Sequence, residues 1–437
     1  MSRLPKRYLL VTGTFLLSVL LYVDRACISV AKGDVQDDLG LSDQQIGWVF
    51  SAFALGYALF QTPGGWLADR LGPRRVLATI VIAWSVFTGL TAAAFNFVAI
   101  LVVRFLFGAG EAGAFPGMSR AVFSWIPMSE RGLVQGINFS GSRLGAALAL
   151  PLIAVLIDGL GWRGSFVVLM LVGFVWAVAW YVLFRDDPAE VESMSDAERQ
   201  LILDGRQQSS GGDGDPGLTA AAIGRSSTVG LLCVQYFASN FTFFIALSWL
   251  FPLLKERFAL SGLEASLYAS APFVAGAIGS WVAGWLIDVI YRAGHWPASR
   301  RVPAVAGFAF ATVGLLGTAY SETAFATAAW FSLAIFGADM TLAPSWTTCV
   351  DIGKKNAGVV SGTMNMAGNI GSFVTSLAFP FLKGLTVDSD PSNKAFFFVA
   401  AALNAIAVAV WFLIDPRKPI VAGKEGVVVA DAGQADG

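Results

Sequence analysis

The sequence predicts an all-α membrane protein with about twelve transmembrane helices in two pseudo-symmetric six-helix bundles. Three observations predict it: the composition, a regular series of apolar windows, and an internal repeat. Of the 437 residues, 56% are hydrophobic and 14% are charged, whereas soluble domains are about 45–50% apolar and about 25% charged. This composition indicates a multi-pass membrane protein and argues against a soluble enzyme.

The apolar windows set the number of spans. About twenty mostly apolar residues are needed to cross the hydrocarbon core of a bilayer. Windows of this kind occur at 8–31, 45–68, 76–96, 98–122, 132–156, 164–184, 228–252, 264–290, 302–320, 324–347, 357–382 and 395–414. The first window follows a basic N-terminus, but it is too long for a signal peptide and no small-residue cleavage site follows it.

The longest interior polar segment divides the windows into two groups of six. We expect an N-terminal bundle over 1–184, a cytoplasmic linker over 185–227 and a C-terminal bundle over 228–414. The linker contains the flexible sequence SSGGDGDPG. Residues 415–437 are expected to form a disordered cytoplasmic tail.

The basic residues of the short loops predict the orientation, because such residues accumulate on the cytoplasmic side. The residues that fall on one side are Arg3, Lys6, Arg7, Arg70, Arg74, Arg75, Arg131, Arg292, Arg300, Arg301, Lys354 and Lys355. The first loop on the opposite side, KGDVQDDLGLSDQQ, is acidic. Both termini are therefore expected in the cytoplasm, with the protein in a bacterial inner membrane.

Internal repetition supports two related halves. The sequence GGWLADRLGPRRV after the second span is repeated as AGWLIDVIYRAG after the eighth, so that Gly65 matches Gly284 and Asp69 matches Asp288. The sequence RGLVQGINFSGSRLG, which opens the fifth span, is repeated as NAGVVSGTMNMAGNIG at the start of the eleventh.

Four charged residues lie inside the first and fourth predicted spans: Asp24, Arg25, Arg104 and Glu111. A charge at the bilayer centre costs about 2.5–3.5 kcal/mol on insertion scales, and such residues are usually functional. Glu111 is seven residues after Arg104, hence two turns away on one helix face. We expect the four groups to converge near mid-membrane. A purely structural role, in which the charges neutralise one another, is the alternative.

The carboxylates and the guanidiniums suit different roles in transport. A carboxylate that alternates between dry and charge-paired surroundings can bind and release a proton, which makes Asp24 and Glu111 candidates for proton coupling. Arginine stays protonated, and its planar fork matches a carboxylate. Arg25 is therefore the candidate for binding an anionic substrate. Arg104 is also placed in the substrate site, and it is the candidate for adjusting the proton affinity of Asp24 or Glu111.

The remaining composition excludes several function classes. The formal net charge of −1 gives no electrostatic basis for a nucleic-acid partner. Cys27, Cys233 and Cys349 form no C-x-x-C pair, and the single histidine, His295, lies in a predicted loop, so no metal site is indicated. No nucleophile–base–acid set or cofactor motif is visible. We expect neither enzyme activity nor a cofactor, and we expect H⁺, with Na⁺ as the alternative, as coupling ion.

The sequence GGWLADRLGPRR resembles the loop signature of the major facilitator superfamily. Its matching positions are Gly65, Asp69, Arg70, Gly72 and Arg74. Pro73 stands where many members have a basic residue. A carboxylate and cations at a helix end can hold a cytoplasmic gate closed, so these residues form the predicted gating motif. Their alternative role is to fix the loop and the topology.

A narrower resemblance covers nearly the whole chain. The sequences YVDRACISVA, LGLSDQQIGWVFSAFALGYALFQTPGGWLADR and RFLFGAGEAGAFPG are similar to the anion:cation symporter family. This resemblance implies a proton-coupled carrier of an organic anion that works by alternating access. It also implies that Asp24 and Glu111 are protonation sites and that Arg25 holds the substrate carboxylate. The expected partners are a small organic anion and the lipid bilayer, with a monomer as the working unit.

The resemblance implies further substrate contacts. Tyr22 and Tyr57 match the family's binding tyrosines, and Trp346 in SWTTCVDIGKK matches an aromatic position whose ring could stack on a sugar. Asn365 matches the family's amide position with one residue gapped. The weakest match is Gln235 in CVQYFASNF, for which Asn240 is the alternative.

Two intramembrane charges depart from the family pattern. Arg143 lies in the fifth span and Asp339 in the tenth. They are expected to form a structural pair that bridges the halves. Alternatively, Arg143 holds a second substrate carboxylate, which would indicate an aldarate or tartrate type of substrate.

The preferred function is proton-coupled uptake of a sugar acid, namely a hexuronate, aldonate, aldarate or related carboxylate. An exchanger of phosphate-type anions is the first alternative, although its site need not contain Asp24 or Glu111. A proton-driven exporter is disfavoured because GSRLGAALALP departs from the antiporter pattern G-x-x-x-G-P-x-x-G-G. A sensor that binds without transport is disfavoured because the linker is too short for an effector domain.

Overall fold

The computed structural model describes residues 5–207, 218–385 and 394–420, and their regular structure is helical throughout. The first half contains α1 (Lys6–Val30), α2 (Lys32–Leu39), α3 (Asp43–Leu71), α4 (Pro73–Ala92), α5 (Phe97–Glu111), α6 (Ala114–Trp125) and α7 (Arg131–Leu183). The connecting segment contains α8 (Asp196–Gly205) and α9 (Ala220–Arg225). The predicted flexible sequence at 209–217 and the tail from 421 lie outside the described residues.

The second half repeats the arrangement of the first. It contains α10 (Ser227–Ser248), α11 (Leu250–Phe258), α12 (Gly262–Arg292), α13 (Trp296–Tyr320), α14 (Ala324–Met340), α15 (Leu342–Gly353), α16 (Ala357–Leu385) and α17 (Lys394–Leu413). We call the side of the bundle with the loops at 72, 126–130, 293–295 and 354–356 the basic side. The side with α2 is called the acidic side.

Three predicted spans are each divided into two helices, which corrects their prediction as single helices. The breaks lie between α5 and α6, between α10 and α11, and between α14 and α15. Each precedes a proline, namely Pro116, Pro252 and Pro344. Proline has no amide hydrogen to donate to the carbonyl four residues earlier, and its ring clashes with that carbonyl. Each of these helices therefore breaks about one turn before its proline.

The fifth and sixth predicted spans, 132–156 and 164–184, lie in the continuous segment α7. The reversal between them occurs at Gly161, whose φ of 70° and ψ of 169° depart from helical values. A positive φ with extended ψ is essentially restricted to glycine. Both ends of α7 consequently lie on the basic side.

Among the described residues, nine helical stretches are long and apolar enough to cross a membrane. The stretch Ala324–Phe379 contains two predicted spans, while α3 and the first part of α7 are not among the nine. Those two helices carry buried polar side chains toward the interior, such as Gln61, Gln135 and Asn138. The predicted all-α membrane fold is confirmed.

The burial pattern is the reverse of that of a soluble protein. Large apolar side chains face outward, with Phe95 exposed by 78%, Val155 by 70% and Phe325 by 71%. Charged residues, including Asp24, Arg104 and Glu111, are buried. This pattern fits a lipid-covered exterior and a polar interior.

Candidate functional site

Among the four charges of the first and fourth predicted spans, Arg25 and Glu111 are in direct contact. The Arg25 Nε atom donates to the two carboxylate oxygens of Glu111 at 3.1 and 2.9 Å. Glu111 is fully buried, whereas the Arg25 side chain is 20% exposed. The rings of Tyr57 and Tyr22 lie 4.3 and 5.0 Å from the guanidinium carbon. Glu111 ends α5 at the break before Pro116, so its carboxylate faces the middle of the half.

Asp24 does not pair with Arg25, although the two residues are neighbours in the sequence. Successive helix residues point about 100° apart, so Asp24 faces α4 while Arg25 faces Glu111. Asp24 is 1% exposed, and neither carboxylate oxygen has a hydrogen-bond partner. The indole of Trp84 is close by, but its N–H is also without a partner. The structure therefore holds a buried carboxyl group in an apolar setting.

Arg104 joins the same region without forming an ion pair within 4 Å. Its guanidinium carbon lies 4.4 Å from the Phe107 ring and 5.2 Å from the Phe53 ring. Glu111 and Asp24 are among its electrostatic neighbours, and its Nε atom has no hydrogen-bond partner. The four predicted charges thus share one region, but only Arg25 and Glu111 are in direct contact.

The second half supplies an aromatic and amide wall opposite this cluster. The Trp346 indole N–H donates to the Tyr236 hydroxyl at 2.8 Å. Trp346 also packs against Phe115 and Phe139 of the first half, with centroid distances of 5.8 and 5.2 Å. Asn365 is buried nearby on α16. Trp346 therefore lies at the junction between the halves.

Gln235, a predicted substrate contact, makes its hydrogen bonds inside the second half. It is fully buried and donates to the carbonyl of Leu232 at 2.9 Å. Its amide oxygen accepts from Ser345 at 3.1 Å and from the Trp411 indole at 3.4 Å. All these contacts lie within the second half, so its hydrogen-bonding capacity serves packing.

Sequence reasoning missed Tyr236 as a member of the candidate site, which it joins through Trp346. Its electrostatic neighbours include Tyr22 and Tyr57 of the other half. Asn240, one turn further along α10, is half-buried and donates to the Tyr236 carbonyl at 3.0 Å. The spacing along the helix could have identified it. Tyr236 and Asn240 are four residues apart and so share one face of α10, whereas Gln235 lies on another face.

Arg143 and Asp339 form a buried pair between the halves. Arg143 Nε and Nη2 donate to the two oxygens of Asp339 at 2.7 and 2.6 Å. Arg143 is 5% exposed and Asp339 is 1% exposed. The Phe243 ring lies 3.7 Å from the guanidinium carbon. The structure brings together two charges that the sequence could only suggest as partners.

Asp69 and Asp288 each cap a helix of the opposite half. Asp69 accepts from the amides of Gly358 and Val359 at 2.8 and 2.7 Å, in the first turn of α16. Asp288 accepts from the amides of Gly132 and Leu133, both at 2.9 Å, in the first turn of α7. The first amides of a helix lack internal partners and carry partial positive charge. We call these two contacts the reciprocal caps.

The rest of the predicted gating motif supports the cap of Asp69 in different ways. A β-carbon on Gly65 would overlap the carbonyl oxygen of Gly358, so the helices meet backbone to backbone. Gly72 has a φ of 84° and leaves room for Asp186, which accepts from the Arg74 amide at 2.8 Å. Burial raises the pKa of Asp186 above its ordinary value.

Arg70, also part of the predicted gating motif, faces outward over Trp66. It therefore takes no direct part in the cap.

A second set of charges closes the basic side. Asp351 accepts from Arg131 Nη1 at 2.8 Å and from Arg300 Nε at 2.9 Å, and all three side chains are fully buried. The Trp296 indole also donates to Asp351 at 3.2 Å. The sequence marked the two arginines only as indicators of orientation. Their common carboxylate joins α7 of the first half to α13 and α15 of the second.

Within 5–207, 218–385 and 394–420, no group of three or more His, Cys, Asp or Glu side chains could hold a metal ion. The charged interior is therefore made of guanidinium–carboxylate pairs, aromatic rings and amides.

Comparisons with known proteins give the family and the general activity. The family described as Major Facilitator Superfamily matches residues 14–376. A probable sulfoacetate transporter of Cupriavidus necator is 32% identical over 418 residues, which cover 95% of each chain. A hexuronate transporter of Bacillus subtilis is 31% identical, with coverage of 90% of this chain and 91% of the relative.

A solved structure agrees with the fold. A proton:xylose symporter superposes with a TM-score of 0.73 at 15% identity, over 95% of this chain and 97% of that one. The superfamily resemblance of the loop signature is thereby confirmed, as is the expectation that the protein is not an enzyme. This chain belongs to the Major Facilitator Superfamily and is a multi-pass membrane transporter.

Proposed function

We propose that this protein is a proton-coupled symporter that takes up a carboxylate by alternating access. The substrate is a sugar acid, namely a hexuronate, aldonate or aldarate, or a related carboxylate. We further propose that it works as a monomer in a bacterial inner membrane, with both termini and the basic side facing the cytoplasm. No cofactor other than the coupling proton is required.

The observation that carries this proposal is the Arg25–Glu111 ion pair. Only the Nε atom of Arg25 bonds to Glu111, and its Nη2 atom is buried without a partner. A guanidinium fork donates two parallel hydrogen bonds to a carboxylate. A substrate carboxylate would therefore compete with Glu111 for Arg25. A proton on Glu111 weakens its hold on Arg25, so protonation and substrate binding favour each other.

Asp24 is the second proposed proton carrier. An ionised carboxylate without a hydrogen-bond partner is costly in a dry interior, and a bound proton removes the charge. Asp24 meets this condition because both its oxygens lack partners. Its proximity to Arg104 offers a compensating charge when the proton leaves. The two carboxyl groups thus provide separate steps of binding and release.

The proposed substrate class rests on the side chains of the site and on the substrates named for the relatives. Hexuronate and sulfoacetate, the molecules in the relatives' names, both contain a carboxylate. Arg25 suits that group, while Tyr22, Tyr57, Tyr236 and Asn365 offer hydroxyl and amide partners. Sugar hydroxyls need such partners when they leave water. The Trp346 ring offers a flat apolar face.

The packing between the halves supports alternating access. The reciprocal caps and the Arg131–Asp351–Arg300 cluster lie on the basic side, and Arg25 remains partly exposed above them. This arrangement corresponds to a carrier closed toward the proposed cytoplasm. Release of substrate requires these contacts to separate and the opposite side to close.

The test is uptake by purified protein in liposomes, with and without an inward proton gradient. Labelled hexuronates, aldonates, aldarates, a C4 dicarboxylate and phosphate are compared. We expect gradient-stimulated uptake of a carboxylate, and loss of the gradient effect in Glu111→Gln. Asp37→Asn, which changes an exposed carboxylate on α2, is the matched control and should transport normally.

Two results would contradict the proposal. Uptake that depends on internal anion and ignores the proton gradient would indicate an exchanger and would remove the coupling role of Asp24 and Glu111. Binding of an anion without uptake in any gradient would indicate a sensor.

A further inference from the structure

Asp339 does not use all of the N–H donors of Arg143. Asp339 uses Nε and Nη2 of the guanidinium, and a guanidinium has five N–H donors in all. Asp339 therefore makes no hydrogen bond to the Nη1 atom. Because Asp339 holds one edge of the group at 2.7 and 2.6 Å and Phe243 covers its face at 3.7 Å, Arg143 is fixed in one orientation.

Tyr22 connects Arg143 to the proposed carboxylate site. Its ring lies 5.0 Å from the Arg25 guanidinium carbon, and it is also a hydrogen-bonding neighbour of Arg143. The close approach of α7 to α1 places it there, since a β-carbon on Gly145 would lie 3.2 Å from the Tyr22 β-carbon. One half-buried tyrosine is thus a neighbour of both guanidiniums.

Arg25 and Arg143 are each held by an ion pair with a carboxylate. Each guanidinium is held by a resident carboxylate, Glu111 for Arg25 and Asp339 for Arg143. Glu111 belongs to the same half as Arg25, whereas Asp339 comes from the half opposite to Arg143. A purely structural bridge needs no tyrosine shared with the substrate site, and this shared residue favours a role in binding.

We propose that Arg143 is a specificity-determining residue that receives a second anionic group of the substrate, so that this carrier prefers dianions to monoanions. One carboxylate binds Arg25 and the other anionic group binds the Nη1 edge of Arg143, on either side of Tyr22. Asp339 is a positioning residue that orients Arg143. The inference rests on the proposed function, because it assumes that Arg25 binds the first carboxylate.

The experiment compares acids that differ in one terminal group. Purified wild-type protein is titrated with galactonate and galactarate, and with gluconate and glucarate, by calorimetry. The second acid of each pair has a carboxylate where the first has a hydroxymethyl group. We expect at least one dicarboxylate to bind at least tenfold more tightly than its monocarboxylate.

The diagnostic variant is the double substitution Arg143→Gln with Asp339→Asn, which removes both charges and leaves two amides able to hydrogen-bond. It avoids the unpaired buried charge that either single substitution would leave. We expect it to lose the preference, so that the ratio of dicarboxylate to monocarboxylate affinity falls about tenfold from its wild-type value. Arg143→Lys keeps the charge but not the fork, and should retain part of the preference.

The outcomes separate the inference from the proposed function. Equal binding of both acids by the wild-type protein would overturn the inference and leave the proposed function standing. An equal loss for both acids in the double variant would show that the Arg143–Asp339 pair is structural only. If neither the acids nor the uptake screen reveals a carboxylate ligand, both proposals fail. Arg25→Gln should weaken both acids alike.

Discussion

Asp69 and Asp288 occupy equivalent positions in the two halves, and each caps the first turn of a helix in the opposite half. The sequence repeat GGWLADR and AGWLIDV places them at matching helix ends. The structure adds that their partners, Gly358 and Gly132, are themselves matching positions of a second repeat. The contact between the halves is therefore made twice, once on each side of the pseudo-twofold axis.

We expect Asp69→Asn and Asp288→Asn to weaken closure of the basic side. Each change removes the negative charge from two hydrogen bonds, and bonds to charged groups contribute about 1.5–3 kcal/mol. An effect of this size shifts a conformational equilibrium by about tenfold or more. The distance between spin labels is measured by double electron–electron resonance. The labels are placed at the ends of α4 and α13 on the basic side, in a protein from which the native cysteines have been removed. Asp37→Asn is the control. Unchanged distance distributions in both variants would refute a role in closure.

Gly65→Ala should prevent the close approach of α3 and α16. A β-carbon at Gly65 would overlap the carbonyl oxygen of Gly358, which is backbone and cannot rotate away. We expect uptake to fall at least tenfold. Gly47→Ala on the same helix is the matched control, because a β-carbon there meets nothing within 4 Å. Normal uptake by Gly65→Ala would mean that the two helices separate without loss of function.

Arg25→Lys should weaken substrate binding even though the positive charge remains. A lysine ammonium lacks the planar fork that matches a carboxylate, and it cannot reproduce the stacking against Tyr57 and Tyr22. We expect at least a tenfold rise in the dissociation constant, measured by calorimetry. Arg163→Lys changes an exposed ion pair with Asp38 and should have no effect, since such pairs contribute about 0–1 kcal/mol. Equal affinities for wild type and Arg25→Lys would exclude bidentate recognition.

Asp351→Asn should destabilise the protein. The change leaves Arg131 and Arg300 fully buried and facing each other without their common counter-ion. Breaking a buried ion pair in this way costs about 3–5 kcal/mol. Thermal unfolding in detergent should show a clearly lower Tm. Asp196→Asn, which removes an exposed partner of Arg199, should leave the Tm unchanged. A Tm equal to that of the control would show that the cluster adds no stability.

The helical phase explains the main difference between the predicted and observed sites. Asp24 and Arg25 are adjacent in sequence, but their side chains point to different neighbours, because each helix residue turns the side chain by about 100°. Gln235 and Tyr236 differ for the same reason. Which of two neighbouring residues faces the interior depends on how the helix is rotated against its neighbours, and an apolar span carries little information about this rotation.

The sequence by itself determined the all-α membrane fold and the repeat that relates Asp69 to Asp288. These features follow from local composition, since a bilayer requires about twenty apolar residues per crossing. Only the tertiary structure decided which charges meet: Arg25 with Glu111, Arg143 with Asp339, and Arg131 and Arg300 with Asp351. Such pairs join residues 51 to 220 positions apart along the chain. Their geometry depends on helix packing, which no local segment specifies.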